Sequence, residues 1–489
     1  MCTIETDVAV IGAGAAGLSA AIAAAEKGVH VSVFEKGKTT GGTGNMGMGL
    51  FAVESRHQKL RQMGPSKEDA FRVFMEFTHW RVDALLVRTY IEKSADTIEW
   101  LESMGVEFLE PMAYFPGGWP TWHIVKPGGG PGCAANMFKK MTLYAKKLGV
   151  QFYFNTPVKR LVKEKDKITG CVAENQDGEI MVKAKAVIIA TGGCGNNPHM
   201  IKQHTGLEWG KDLFSFRVAG IDGDGIRMAW EIGAKPTKIT MQLIYIMPGE
   251  VHPQLAEAFR QPHLLVNLKG QRFINEGIIF NSTFVANAIF NQPNKIAYMI
   301  FDENIKQHME NVGFDFIHVP FPFFKLNNFE ILIENCFKRG IKDVIFICDS
   351  IEELAEKTGI DMDGLKEQLE KYNYYCEKGF DPDFNKNTRY LRPIKKPKFY
   401  AGKLALGGYG SLGGITINYK CEVVDKDNQL IKGLYAAGTD ANTINADTYV
   451  FILPGNTMGF AVNSGRIAGE NAAEYVKNNS QAVAYPSST

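Results

Sequence analysis

Residues 7–17 read Asp-Val-Ala-Val-Ile-Gly-Ala-Gly-Ala-Ala-Gly, and after an alanine-rich run residues 31–35 read Val-Ser-Val-Phe-Glu. This order predicts a buried strand, a glycine turn, a helix of small residues and a second strand that ends in an acid. Gly12 permits the tight turn, Gly14 lets the backbone approach a pyrophosphate, and Gly17 lets the helix pack closely on the strand. The helix N-terminus offers amide donors to phosphates, and Glu35 has the spacing that binds ribose hydroxyls. The stretch therefore predicts a dinucleotide-binding α/β fold.

Composition narrows the class of protein further. The chain has 489 residues, which predicts two or three domains. Lysine plus arginine (54) nearly balances aspartate plus glutamate (53), so no global field attracts nucleic acid or an anionic membrane. The apolar stretch 8–25 is broken by glycines and predicts no membrane span. The expected partners are therefore small molecules, without nucleic acid and without a membrane span.

The cysteines give no metal pattern. All eight are scattered, and none forms the C-x-x-C spacing of zinc, iron–sulfur or covalent haem sites. No metal site is predicted. Scattered cysteines without a secretory signal predict a reducing, cytoplasmic location.

The chain predicts one discontinuous nucleotide-binding domain with an insertion. Helical periodicity covers 66–105 and 361–378, a Gly/Pro/Trp loop covers 111–132, and a final helix is expected at 456–475. Aromatic and proline residues cluster between 236 and 355, where the glycine-rich rhythm weakens. We predict a first part of the nucleotide domain at 1–235, a capping domain at 236–355 and a second part at 356–489.

A second dinucleotide fingerprint is not convincing. The segment Gly130-Pro-Gly-Cys-Ala-Ala135 has prolines where a strand should precede it, and the strand that follows ends in Asn155. The sequence therefore predicts no dedicated NAD(P)H domain.

Further motifs carry a family resemblance over about residues 5–475. Besides the first glycine turn and Glu35, these are Ala190-Thr-Gly-Gly193, Gly223-Asp-Gly225, Gln271-Arg-Phe-x-Asn-Glu276 and Tyr435-Ala-Ala-Gly438. With them the chain resembles the flavoprotein subunits of fumarate reductase and succinate dehydrogenase, in a superfamily that also holds urocanate and aryl-acrylate reductases and 3-ketosteroid dehydrogenases. The resemblance implies a Rossmann-like FAD-binding domain, discontinuous, with an inserted α+β capping domain. The implied chemistry is hydride transfer between flavin N5 and a carbon–carbon double bond.

The resemblance also implies which residues hold FAD. The loop 39–45 matches the segment that wraps the pyrophosphate and flavin, and Gly42 stands where covalent members have a histidine, so FAD should be non-covalent. The Gly455-Asn456 turn opens the helix whose N-terminus faces the flavin N1/C2 carbonyl. The cofactor-binding residues implied are Gly12, Gly14, Ala15, Ala16, Gly17, Glu35, Lys36, Gly41, Gly42, Thr43, Asn45, Gly47, Met48, Gly49, Val158, Ala190, Thr191, Gly192, Asp224, Gly438, Thr439, Gly455, Asn456 and Thr457.

The chain departs from the family where a dicarboxylate would bind. The His-Pro-Thr site reads Met247-Pro-Gly249, the arginine and aspartate after the Arg-Phe-x-Asn-Glu motif read Phe280-Asn281, and the His-Thr-Met-Gly-Gly site reads Gly410-Ser-Leu-Gly-Gly414. The arginine of Arg-Leu-Gly-Gly-Asn reads Ile452. Arginine is the bidentate ligand of carboxylates, and without it an ion's desolvation is uncompensated. Fumarate and succinate are therefore not expected as substrates, and the replacements predict an apolar pocket.

The proton donor must then be sought elsewhere. The candidates are Tyr449, His123, Tyr114, Tyr245 and Tyr409. Each could instead pack in the core with its polar atom satisfied. Leu453 stands where the ketosteroid enzymes have a tyrosine, which separates this chain from their ring chemistry. Arg272 and Glu276 are expected to form a structural pair.

The favoured function is an FAD-dependent ene-reductase or dehydrogenase that acts on CH–CH bonds. The substrate class expected is a hydrophobic unsaturated carbonyl compound such as a 3-oxosteroid, with an aryl-acrylate or urocanate-like monoacid next. An electron-transfer flavoprotein subunit of a larger complex is the alternative. In the enzyme case electrons would come from a redox partner protein or from NAD(P)H.

Overall fold

The computed structural model of the protein describes residues 2–214 and 218–484, with side chains as far as residue 479. Over this range the strands are β1 Cys2–Ile11, β2 Val31–Phe34, β3 Gly49–Phe51, β4 Trp122–Ile124, β5 Gln151–Tyr153, β6 Val158–Glu164, β7 Lys167–Asn175, β8 Gly178–Ile189, β9 Pro236–Ile246, β10 Leu264–Val266, β11 Ile296–Asp302, β12 Ile345–Cys348, β13 Phe399–Ile415, β14 Glu422–Val424, β15 Leu430–Ala436 and β16 Ala441–Asn442. The α-helices are α1 Ala15–Glu26, α2 Arg56–Arg61, α3 Lys67–Phe77, α4 Ala84–Ser103, α5 Ala135–Lys147, α6 Pro198–Thr205, α7 Asp224–Glu231, α8 Pro253–Ala258, α9 Ser282–Phe290, α10 Glu303–Asn311, α11 Phe329–Lys338, α12 Ile351–Thr358, α13 Met362–Lys378 and α14 Asn456–Ala484.

The first of two compact units contains the glycine turn. Its described residues are 2–206, 218–242 and 410–484. Its main sheet runs β14-β15-β7-β8-β1-β2-β5, with β6 paired to β7. Strands β15, β8, β1, β2 and β5 are parallel, whereas β6 and β7 form an antiparallel hairpin. Because parallel strands end at one edge of a sheet, the residues that follow β1, β2, β8 and β15 meet there. This edge carries most of the predicted cofactor segments.

Small residues set the spacing between α1 and α14. A Cβ atom at Gly465 would collide with the carbonyl oxygen of Ala16, and one at Gly469 would collide with that of Ala20. The two helices can therefore approach until backbone meets backbone. This contact anchors α14, which is longer than the predicted helix at 456–475.

The second unit contains described residues 207–214 and 243–409. Here β10, β11, β13 and β12 form an antiparallel sheet in that order. Aromatic side chains pack against it, with ring centroids of Phe301 lying 5.0 Å from Phe259 and 5.1 Å from Tyr400. Strands β9 and β13 have residues in both units.

The second unit ends later than the predicted cap of 236–355. It continues to Tyr409 because the first half of β13 pairs with both β11 and β12. A buried cluster of charged residues lies in the same unit. Arg272 forms ion pairs with Glu276 at 2.7 Å and with Asp381 at 2.9 Å, and all three side chains are fully buried. The pair expected between Arg272 and Glu276 is present, and Asp381 lies beyond the predicted boundary.

Two further observations concern membrane-spanning helices and cysteine pairing. Among the described residues no helix is long and apolar enough to span a membrane. All eight cysteines are unpaired thiols.

Candidate cofactor and active site

The first glycine turn has the geometry of a phosphate cradle. Gly12 has φ +101°, and a Cβ atom there would collide with the carbonyl oxygen of Ala190. A Cβ atom at Gly17 would collide with the carbonyl oxygen of Gly12. At Gly14, by contrast, a Cβ atom would meet no protein atom within 4 Å, and no side chain caps the helix that begins there. The first amides of α1 thus face open space, which suits a pyrophosphate.

Glu35 lies beside this turn. One carboxylate oxygen accepts a hydrogen bond from the Ala13 amide at 2.7 Å, and the other accepts one from the Gly37 amide at 2.7 Å. The neighbouring Lys36 bonds Asp224 at 2.6 Å and Asp222 at 3.1 Å. These contacts join the end of β2 to the glycine turn and to the start of α7.

The loop after β2 is laid against the same turn. The Gly41 amide donates to the Ala13 carbonyl at 2.8 Å, and the Asn45 side chain donates to the Thr40 carbonyl at 2.9 Å. Gly42 has φ +49°, and the nearest atom to a Cβ there would be the Gly14 Cα at 3.4 Å. The loop predicted to wrap the pyrophosphate therefore lies next to the open face of Gly14.

Asp440 is a supporting residue of the second glycine turn, Thr191 to Gly193, and it was not predicted from the sequence. Its fully buried carboxylate accepts hydrogen bonds from the amides of Thr191, Gly192 (3.2 Å) and Gly193 (3.0 Å) and from the Thr191 hydroxyl (2.9 Å). Burial raises the pKa of Asp440, and these donors oppose that rise. The Asp440 carboxylate thus accepts from all three amides of the turn Thr191 to Gly193 and holds that turn in its conformation. The available signal was an acid four residues after Ala436, the end of β15.

The N-terminus of α14 is built from several polar contacts. Asn456 is fully buried, and its side-chain amide donates to the carbonyls of Val450 (3.1 Å) and Leu453. The Thr457 amide donates to the Tyr449 hydroxyl at 3.3 Å. The Thr457 hydroxyl donates to the side chain of Gln242 at 3.1 Å, a second residue that the sequence analysis missed. Tyr449, 4% exposed, therefore presents its hydroxyl at the positive end of a long helix.

Aromatic side chains surround this turn. Tyr114 and Phe451 lie with ring centroids 4.5 Å apart, and both are half-buried. Tyr449 lies 5.9 Å from Phe451, and Trp122 lies 5.6 Å from Tyr114. Backbone bonds tie the loop to the turn, because the Trp119 amide donates to the carbonyl of residue 452 at 3.0 Å. The structure thus brings together two of the predicted proton donors, Tyr449 and Tyr114.

His123 lies on β4 and is fully buried. Its Nδ1 is 3.1 Å from the Thr121 carbonyl and its Nε2 is 2.7 Å from the Ser55 hydroxyl. Because a carbonyl only accepts, Nδ1 carries the proton and Nε2 accepts from Ser55. Burial lowers the pKa of His123 to about 4. At neutral pH the imidazole is therefore neutral, and a proton-donating role stays a prediction.

The buried imidazole predicts an acid-sensitive stability. The unfolded chain binds a proton at His123 near pH 6.5, whereas the folded protein binds it near pH 4. Folding stability from this group is therefore full above pH 6.5, falls by about 3 kcal/mol as the pH drops to 4, and then levels off. In His123→Gln, unfolding by urea at pH 7 and pH 4.5 should show a smaller acid loss than in the wild type. An equal loss in both proteins would assign the acid sensitivity to other groups.

The other two predicted proton donors belong to the second unit. Tyr245 is 3% exposed, and its hydroxyl donates to the Ile279 carbonyl at 2.9 Å. Tyr409 is 44% exposed. Phe280, in place of the family arginine, packs on Phe316 with ring centroids 4.8 Å apart. Met247 is 5% exposed. Catalytic roles for both tyrosines stay predictions.

Comparison with known proteins identifies the family. The family model FAD_binding_2, described as an FAD binding domain, matches residues 7–449. The chain belongs to this family. All of the predicted cofactor residues lie in the first unit, and the open cradle at Gly14 fits the pyrophosphate of FAD. The cofactor is FAD, and non-covalent attachment remains a prediction.

Relatives place this family member within the fumarate reductase and succinate dehydrogenase flavoprotein superfamily. The vinyl phenol reductase of Lactiplantibacillus plantarum is 33% identical over 485 residues, which cover 96% of each chain. The open form of a flavocytochrome c3 fumarate reductase superposes with a TM-score of 0.70 at 27% identity, covering 96% of this chain and 78% of that one. The 3-ketosteroid Δ1-dehydrogenase of Sterolibacterium denitrificans, at 22% identity, shares the fold with a TM-score of 0.78, covering 96% and 99%. The flavoprotein is thus an FAD-dependent oxidoreductase of the fumarate reductase family, which acts on carbon–carbon bonds.

Proposed function

We propose that this flavoprotein reduces a carbon–carbon double bond conjugated to an aromatic ring or a carbonyl, in a substrate without a carboxylate. The observation that carries the proposal is the half-buried aromatic pair Tyr114 and Phe451 beside the N-terminus of α14. Next to this pair stands Ile452, where the resemblance implies an arginine in the dicarboxylate reductases. Aromatic rings stack favourably on other π-systems, and isoleucine offers no charge to a carboxylate.

The chemistry divides between the cofactor and the protein. FAD, when bound, supplies the hydride at its N5 atom. The protein must supply a proton to the other alkene carbon and must exclude water from the site. Tyr449 is the proposed proton donor. Its hydroxyl oxygen accepts a hydrogen bond from the Thr457 amide, and the positive end of α14 stabilises the phenolate that forms once the proton is transferred.

The substrate class is narrowed by the relatives. The vinyl phenol reductase matches this chain along nearly the whole length of both proteins. Its name describes an alkene conjugated to a phenol, which is uncharged, planar and apolar. We therefore place an aryl-conjugated alkene ahead of the 3-oxosteroid class favoured by the sequence, and an aryl-acrylate or urocanate-like monoacid after both.

We propose that electrons arrive from a separate donor, either a redox protein or NAD(P)H. The sequence shows no second nucleotide fingerprint and no cysteine pattern for an iron–sulfur or haem group. Membership of a larger electron-transfer complex is the alternative. A cytoplasmic location is part of the proposal, supported by the eight unpaired cysteines.

The test is anaerobic. The FAD-loaded protein is reduced with dithionite, and flavin reoxidation is followed with 4-vinylphenol, 3-oxo-4-ene and 3-oxo-1-ene steroids, cinnamate, urocanate and fumarate. We expect rapid reoxidation by an uncharged alkene and slow reoxidation by fumarate, with oxygen as the control that the reduced protein is competent. Reoxidation by fumarate would contradict the proposal, and reoxidation by oxygen alone would favour the electron-transfer alternative.

A further inference from the structure

Tyr90 is a buried phenol that the proposed chemistry does not yet use. It lies on α4, is 1% exposed, and donates its hydroxyl to the Asn456 side-chain oxygen at 3.0 Å. Burial, and then the proximity of Tyr449, raise the pKa of Tyr90 well above its ordinary value, so the hydroxyl keeps its proton. The carbonyls of Val450 and Leu453 only accept, so the Asn456 amide nitrogen faces them and its oxygen accepts from Tyr90.

That orientation has a consequence for the turn before α14. With its buried oxygen satisfied by Tyr90, Asn456 can keep its amide nitrogen on the carbonyls of Val450 and Leu453. These two carbonyls belong to the turn that directly follows Tyr449. The bond from Tyr90 therefore supports, through Asn456, the segment that carries the proposed proton donor.

The first turn of α14 leaves room for Tyr90. A Cβ atom at Gly459 would lie 2.6 Å from the Tyr90 hydroxyl oxygen, so any larger residue would displace the phenol. Two turns further along the same pair of helices, Thr97 donates to Asn463 at 2.7 Å. Further polar contacts join α4 to α14 along the same helices, between Lys93 and Glu470 and between Asp96 and Arg466. Among these contacts the Tyr90 bond is the one at the start of α14.

We propose that Tyr90 is a positioning residue for proton transfer, because it orients Asn456 and through it the turn that bears Tyr449. The inference rests on the proposed function, since it assigns Tyr90 to the alkene-reducing step. In this proposal Tyr90 does not touch the substrate and does not donate the proton that is transferred to it. Its role is to keep the Tyr449 hydroxyl in position beside the first amides of α14.

The test compares Tyr90→Phe with two matched variants of the FAD-loaded protein. Tyr435→Phe removes a buried hydroxyl that donates to the Asn471 carbonyl at 3.3 Å, on the same helix but far from its start. Thr97→Val removes a side-chain contact between α4 and α14 that lies two turns away from the start of α14. In Tyr90→Phe we expect reoxidation by the alkene to slow about ten- to hundredfold, with a shifted pH profile and unchanged reoxidation by oxygen. The two control variants should keep the wild-type rate and pH profile.

Equal alkene rates in Tyr90→Phe and Tyr435→Phe would overturn the proposal. If Tyr90→Phe does not retain FAD, Asn456→Asp takes its place, because it keeps the acceptor for Tyr90 and loses the donor to the two carbonyls. If no alkene reoxidises even the wild type, the proposed function fails separately. Tyr90 is then judged by the flavin midpoint potential, which should differ between Tyr90→Phe and Tyr435→Phe if Tyr90 orders the α14 terminus and should be equal if it does not.

Discussion

Replacing Tyr449 with phenylalanine should slow reoxidation of the reduced flavoprotein by its alkene substrate about 10²–10⁴-fold, the range typical of losing a positioned general acid. The reason is local, because the Tyr449 hydroxyl accepts a hydrogen bond from the Thr457 amide at the first turn of α14. Phenylalanine keeps the ring whose centroid lies 5.9 Å from that of Phe451 and removes only the hydroxyl group, which carries the proton. FAD content should therefore remain that of the wild type.

The measurement is stopped-flow absorbance of the dithionite-reduced protein mixed with the alkene, over a range of pH. Tyr114→Phe is the matched control, because Tyr114 packs 4.5 Å from Phe451 on the same aromatic cluster. If Tyr449 is the acid, Tyr114→Phe changes substrate affinity more than rate. Full activity in both variants would remove both tyrosines from the list of proton donors. A rate loss in Tyr114→Phe alone would transfer the role to that residue.

Local patterns of sequence predicted the strand, glycine turn and helix at the start of the first unit. Gly12 and Gly17 are required by close contacts with the backbone of Ala190 and of the turn itself, so their spacing alone is informative. The helix predicted to start at residue 456 does start at Asn456, and Gly455 before it has φ +92°. Such features depend on backbone geometry that one or two residue types can satisfy.

The supporting contacts could not be read from the sequence. Asp440 meets Thr191 across 249 positions of the chain, and Tyr90 meets Asn456 across 366. The residue type alone does not reveal either role. Many tyrosines are buried in protein cores, and aspartate is common in turns. The extent of the second unit has a similar origin, because β13 pairs with β11 and β12 over a long separation that only the tertiary structure reveals.

The residues proposed to contact the substrate could be predicted from the sequence only in part. The sequence predicted that charged anchors are absent, since Ile452 and Phe280 replace the arginines that the resemblance implies. It did not predict that Tyr114 and Phe451 would pair beside α14, because the two residues come from loops far apart in the chain. The lost charges exclude a class of ligand, whereas the aromatic pair indicates a class that could replace it.

The two glycines of the first turn should separate folding from cofactor binding. In Gly17→Ala the new Cβ atom would collide with the Gly12 carbonyl, where no flexible side chain can yield. We expect a loss of about 3 kcal/mol or more, with misfolded or unstable protein. In Gly14→Ala the Cβ atom would meet no protein atom within 4 Å, and φ at this position is −73°, which alanine adopts freely. Gly14→Ala should therefore fold with the stability of the wild-type apo-protein.

The effect of Gly14→Ala should appear only when FAD is added. Its methyl group would stand in the open space before the first amides of α1, where the pyrophosphate of FAD has to approach. Affinity for FAD should fall about ten- to hundredfold, because the clash costs about 1–3 kcal/mol in the complex alone. The measurements are thermal unfolding of each apo-protein and titration of FAD followed by flavin fluorescence. Wild-type FAD affinity in Gly14→Ala would mean that the pyrophosphate does not cross this turn, whereas a folded Gly17→Ala would mean that α1 can move away from β1 at little cost.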